Sequence, residues 1–106
     1  MNTGGSFENN MNPVYLKAPI MEAILLSCIN DSSFSKIDLN VQRVTPTPKS
    51  TLRKYIFHLI NNAFISYNGR DKKYVINSSG LSLLNMIYSY QKNGSIGYTD
   101  LCIQIN

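Results

Sequence analysis

The stretch TPKSTLRKYIFHLINNAF, residues 47 to 64, constrains the fold more than any other part of the chain. Leu52, Ile56, Leu59 and Ala63 recur at helical spacing, with Tyr55 and Ile60 beside them. That period builds an amphipathic helix; a strand would repeat its inward residues at every second position. Thr47 suits the N-cap and Pro48 the first turn, where a missing N–H costs nothing. Ser50, Lys54, Phe57, His58 and Asn61 project from the opposite face, with Arg53 on its flank. A helix of this kind needs other apolar elements to lie against.

The flanking sequence supplies them. Pro19 to Ile29 reads as a helix whose start extends toward Val14, apolar over more than one face and closed by Asn30-Asp31-Ser32-Ser33. A short helix follows, with Ser35 as its cap, Asp38 near its positive end, and Ile37, Val41 and Val44 on one face. Thr45-Pro46 stops it, because proline disfavours helical geometry in the residue before it. After the third helix, Phe64–Tyr67 and Lys73–Ile76 read as two short strands around an Asn68-Gly69 turn. Asn77 or Ser78 then caps a last helix, Ser79 to about Gln91, without one charged residue; Asn93-Gly94 ends it. The order predicts one domain over residues 14–94. A polar leader over 1–13, expected to be disordered, precedes it, and a weakly alternating tail over 95–106 follows, as a strand or a dimer arm.

The composition narrows the function. A length of 106 residues bounds the chain to one domain. The net charge of +4 leans toward a polyanionic partner, and its placement says more. Seven of the ten basic residues lie between Arg43 and Lys73, with one acid, Asp71, among them. The two cysteines, Cys28 and Cys102, stand far apart and form no metal-ligand spacing with the single histidine, so no metal or cofactor is expected. Cys28 reads as a small core residue. There is no paired-carboxylate motif, nucleophile elbow or phosphate-binding glycine loop, and His58 has no partner near it in sequence; no enzyme activity is expected. No apolar run approaches the roughly 20 residues that cross a bilayer, and the N-terminus lacks the basic start and apolar stretch of a signal peptide. The expectation is a cytoplasmic, nucleoid-associated protein with no membrane partner.

Three helices followed by a two-stranded hairpin is the order of the winged helix-turn-helix. Leu52 to Ile65 resembles the family pattern of a recognition helix ending in an apolar pair, a small residue and a strand. Lys73-Tyr74-Val75-Ile76-Asn77-Ser78-Ser79-Gly80 resembles its closing strand and the start of the next helix. The resemblance covers roughly residues 16 to 92. It is to small archaeal and bacterial winged-helix regulators, including the multiple-antibiotic-resistance and phenolic-acid-regulator types, and to small archaeal chromatin-associated winged helices. Two positions depart from the pattern. Asn62-Ala63 stands where glycine is usual, with Asn62 as the expected left-handed residue, and Phe57 occupies a face that is commonly polar.

The resemblance implies a mostly helical α+β fold: a three-helix bundle with a helix-turn-helix, a two-stranded β-hairpin wing and a C-terminal helix. It also implies a DNA-binding protein whose third helix enters the major groove of double-stranded DNA. Thr47, Lys49, Ser50, Arg53 and Lys54 are then the helix contacts, with Arg53 suited to guanine. Arg70, Lys72 and Lys73 are the wing contacts to backbone or minor groove. The apolar residues of the last helix point to a second copy of the chain: Leu83, Met86, Ile87 and Tyr90 form a stripe beside Leu81, Leu84 and Tyr88, and a homodimer would cover it. Folding back of the tail on its own chain is the other way to cover it. The function expected is that of a dimeric transcriptional regulator. The alternative is a winged helix that binds protein, as a subunit of a larger assembly, and Phe57 favours it.

Overall fold

The computed structural model describes residues 14–93 and 101–105. The leader expected over 1–13, and the part of the tail before Leu101, lie outside the described residues. The fold is α+β and mostly helical. Its elements are β1 (Val14–Lys17), α1 (Ala18–Ser27), α2 (Phe34–Val44), α3 (Lys49–Asn61), β2 (Ile65–Asn68), β3 (Lys73–Ile76), α4 (Ser78–Asn93) and β4 (Cys102–Ile105).

α1 is the central element. Ala18, Met21, Ile24 and Leu25 are fully buried, and Ile20 and Ala23 nearly so. The helix packs on α2 along one side and on α4 along another, which accounts for its lack of a polar face. Ile37 and Val41 of α2, Leu52, Ile56 and Leu59 of α3, Ile65 of β2 and Ile87 of α4 complete the same cluster. The residues before Ala18 are a strand rather than a longer helix. β1 pairs antiparallel with β4, Val14 opposite Ile105 and Lys17 opposite Cys102, and the Ala18 N–H donates to the Leu101 carbonyl at 2.8 Å. Residues 102–105 thus pair within the chain, and Leu16 and Ile105 bury their side chains at that edge.

β2 and β3 form the expected hairpin, with Ile65 opposite Ile76 and Tyr67 opposite Tyr74. The segment between α1 and α2 joins it. Ser32 exchanges both backbone hydrogen bonds with Tyr74, at 3.0 and 2.8 Å, and the Ile76 N–H donates to the Cys28 carbonyl at 2.8 Å. The Ser32 hydroxyl, 2% exposed, donates to the Ser27 carbonyl at 2.6 Å. The Ser27 hydroxyl donates to Ala23 and accepts from the Asn40 amide, both at 2.8 Å. These bonds tie α1, α2 and the hairpin together without leaving the buried hydroxyls unpaired.

The helix ends differ from the sequence reading in three places. Ser33, not Ser35, caps α2, accepting from the Lys36 N–H at 3.3 Å. α3 starts at Lys49 with Pro48 at its cap position, because the Thr47 hydroxyl donates back to the Thr45 carbonyl at 3.0 Å. At the end of α3 the left-handed residue is Ala63, with φ of 62°, and Asn62 stays at φ −99°. Phe64 N–H donates to the Leu59 carbonyl and Ala63 N–H to the Ile60 carbonyl, both at 2.9 Å, the paired bonds of a Schellman motif.

The rotation of α4 also differs, and Gly80 explains it. Gly80 is buried against the chain leaving α3; a Cβ there would overlap the Phe64 carbonyl oxygen and stand 2.7 Å from Ile76 Cγ1. With Gly80 facing inward, the residues three, four and seven positions on face inward too. Those are Leu83, Leu84 and Ile87, all buried. Leu81 and Tyr88 turn outward instead, at 45% and 58% exposure.

Two substitutions test this backbone in opposite directions. Gly80→Ala should destabilise the fold by about 1–3 kcal/mol through overpacking, lowering the thermal midpoint by on the order of 10 °C. Ala63→Gly should raise stability by roughly 0.5–1 kcal/mol: the relief of left-handed strain exceeds the added entropy of the unfolded chain. Circular dichroism melts of the two variants measure both.

Candidate nucleic-acid interface

α3 presents the face that the apolar period requires. Leu52, Tyr55, Ile56 and Leu59 are buried, while Lys49, Ser50, Arg53, Lys54, Phe57 and Asn61 are exposed. The turn before it is held by one side chain. The Gln42 amide oxygen accepts from the Thr47 N–H at 3.0 Å, and its nitrogen donates to the Thr47 carbonyl at 2.6 Å and to Asp38 at 2.9 Å. Thr47 is accordingly buried, at 7% exposure, and belongs to the turn rather than to the exposed surface where the sequence reading put it.

The exposed face of α3 borders β3. Phe34, Arg53, Ile56, Phe57, Ile60 and Tyr74 line a groove of about 440 Å³. Arg53 lies in it with its guanidinium carbon 4.8 Å from the centre of the Phe34 ring, a cation–π stack. Stacking uses the flat face of the guanidinium and leaves its N–H edge able to donate. The Tyr74 ring lies 4.7 Å from that of Tyr67, its partner across the hairpin, the two planes tilted by 45°. Burial and the neighbouring Tyr67 push the Tyr74 phenol above its usual value, against the pull of Arg53. Phe57 meets the His58 ring edge-on at 5.5 Å and is 62% exposed.

At the hairpin tip, Asn68 replaces a tight two-residue turn with its own side chain. Its carbonyl oxygen accepts from the N–H groups of Arg70 and Asp71, at 3.0 and 3.4 Å, and its nitrogen donates to the Asp71 carboxylate at 3.1 Å. This is an Asx turn, closed by Lys72 at φ of 56°. Arg70, Lys72 and Lys73 are all exposed. Exposed basic side chains thus lie on both elements that carry the groove: Lys49 and Lys54 on α3, and these three on or beside the loop that leads into β3.

The apolar stripe expected on α4 is divided. Leu83 and Ile87, at 7% and 0% exposure, belong to the core of their own chain, whereas Met86 and Tyr90 are 41% and 47% exposed. Ile60, read from the spacing as part of the buried face of α3, is instead exposed and lines the groove, while Phe34 and Tyr74 of the groove, and Gln42 of the turn before α3, were not signalled by spacing.

Among the described residues no three His, Cys, Asp or Glu side chains come together to hold a metal ion, and no helix is long and apolar enough to cross a membrane. Cys28 is fully buried, and burial pushes its thiol up to about 12. No protein-family model matches the chain, and no curated protein matches it.

The two thiols should separate cleanly. With 5,5′-dithiobis(2-nitrobenzoate) at pH 8, the exposed Cys102 should react in the native protein and Cys28 only after denaturation, since the thiolate is the reactive form. Release of two equivalents from the native protein would contradict the packing of α1.

Proposed function

We propose that the protein is a winged helix-turn-helix that binds double-stranded DNA as a dimeric transcriptional regulator. α3 reads the major groove, and loop 68–73 is the wing, on backbone or minor groove. The observation that carries this reading is the continuity of one surface. The exposed side of α3 and Tyr74 of β3 line the same groove; Arg53 lies in it, Lys49 and Lys54 are exposed on the same helix, and Arg70, Lys72 and Lys73 are exposed where the loop leads into β3. The element order supports it as well: three helices, the Ser32 bridge between the first two, and a hairpin that pairs with that bridge. Lys49, Ser50, Arg53 and Lys54 are the helix contacts. Arg70, Lys72 and Lys73 are the wing contacts. Thr47 shapes the turn that leads into the helix contacts.

The apolar lining of the groove favours a second reading, a winged helix that binds protein. Salt separates the two. Each phosphate neutralised contributes about −0.9 to the log–log dependence of affinity on salt. Gel shifts on random duplex should therefore weaken steeply between low and moderate salt. The fourfold variant Arg53→Ala, Lys54→Ala, Arg70→Ala, Lys73→Ala should lose binding with its helix content unchanged. Absence of binding at every salt concentration would leave the protein-binding reading.

The dimer rests on α4. Its stretch Ser79–Gln91 carries no charge, and Met86 and Tyr90 lie one turn apart on one exposed flank. Because Leu83 and Ile87 lie in the core, the partner is expected to cover Met86 and Tyr90. Sedimentation equilibrium should give a dimer mass for the wild type and a monomer mass for Met86→Glu, Tyr90→Glu, at an unchanged thermal midpoint. A monomeric wild type would remove the dimer.

A further inference from the structure

We propose that Phe57 is a specificity-determining residue that reads the 5-methyl group of thymine in the major groove. The inference rests on the DNA reading above. Phe57 lies in the middle of α3's exposed face, one turn beyond Arg53 and beside Lys54, and is 62% exposed. Ile60, 38% exposed, stands one turn further along the same groove. If this face lies in the major groove, both side chains leave water for a surface made of hydrogen-bonding base edges. Burying those edges under a hydrocarbon leaves donors and acceptors unpaired, which is costly. The thymine methyl is the one apolar group that the major groove presents. A phenyl ring there gains hydrophobic contact on thymine and loses it on cytosine, and its methyl-sized target is absent from uracil.

The surroundings suit a polyanion with an apolar spot. On the helix, Arg53 and Lys54 lie one turn before Phe57 and Lys49 two turns before it, and Arg70, Lys72 and Lys73 lie where the loop leads into β3. The one acid among them, Asp71, is engaged as an acceptor by Asn68. The Phe57 ring meets the His58 ring edge-on, at 5.5 Å between centroids.

Two duplexes that differ only in the methyl group test this: alternating poly(dA-dT) and alternating poly(dA-dU), titrated by fluorescence anisotropy. Burial of one methyl group predicts binding about fourfold tighter to the thymine polymer. Phe57→Ala should shrink the preference to less than twofold while keeping the thermal midpoint, since the side chain packs on nothing in the core. Phe57→Leu should retain most of it. Equal affinity of the wild type for both polymers, or a preference that survives in Phe57→Ala, overturns the methyl reading while leaving DNA binding in place. Binding to neither polymer removes the DNA reading and this inference with it.

Discussion

The segment between α1 and α2 holds the molecule together through Ser32. Its backbone pairs with Tyr74, and its hydroxyl bonds to the last turn of α1. An isolated two-stranded hairpin is marginal in water. Here the hairpin gains a third strand-like partner, a bond from Ile76 to Cys28, and the apolar support of Ile65 beneath it. The Asn40 amide extends the same network into α2. The orientation of the hairpin relative to α1 and α2 thus comes from bonds that are satisfied only in one arrangement. Everything that faces the α3–β3 groove inherits its geometry from that junction.

The groove is unusual in combining hydrocarbon with permanent positive charge. Arg53 is stacked on Phe34 instead of extending freely into solvent, so less side-chain entropy remains to be lost when it forms hydrogen bonds. The apolar lining also lowers the local dielectric once a ligand covers it, which strengthens any hydrogen bond made at its edge. A surface of lysines alone would attract a polyanion but would discriminate little between sequences. Aromatic side chains among the cations add contacts that depend on what is presented to them.

Much of the fold was legible because its helices obey a period. α3 is read from Leu52, Ile56 and Leu59, and its outward face follows by rotation. The hairpin was equally visible from its β-rich runs and the Asn68-Gly69 signal. What the period could not settle was the orientation of α4, where both stripes are apolar and uncharged. A glycine decided it: Gly80 fits against a carbonyl where no side chain can, and that carbonyl belongs to Phe64, at the far end of the hairpin in sequence. Lys17, Thr47 and Asn77 illustrate the same limit. Lys17 N–H bonds to the Tyr55 hydroxyl, Thr47 is held by Gln42, and the Asn77 amide bridges Ser66 and Ala63, all partners that spacing does not reveal. The candidate surface was legible in its charges, which need only exposure. It was illegible in its groove, which needs α2, α3 and β3 to meet.

The hairpin is anchored at its base. The Ala63 carbonyl, set by a left-handed residue, accepts from both the Asn77 amide and the Ser79 hydroxyl, at 2.9 and 2.8 Å. The Asn77 N–H closes the same junction by donating to the Phe64 carbonyl at 2.9 Å. Both ends of the hairpin are therefore locked to one another before the strands begin, and among the described residues the tip is held by the side-chain bonds of its own Asx turn. Insertions and deletions between Gly69 and Lys72 would change the reach of the loop without disturbing the register beneath it. The length of this arm is thus set apart from the packing of the core, since residues 69–72 are all exposed.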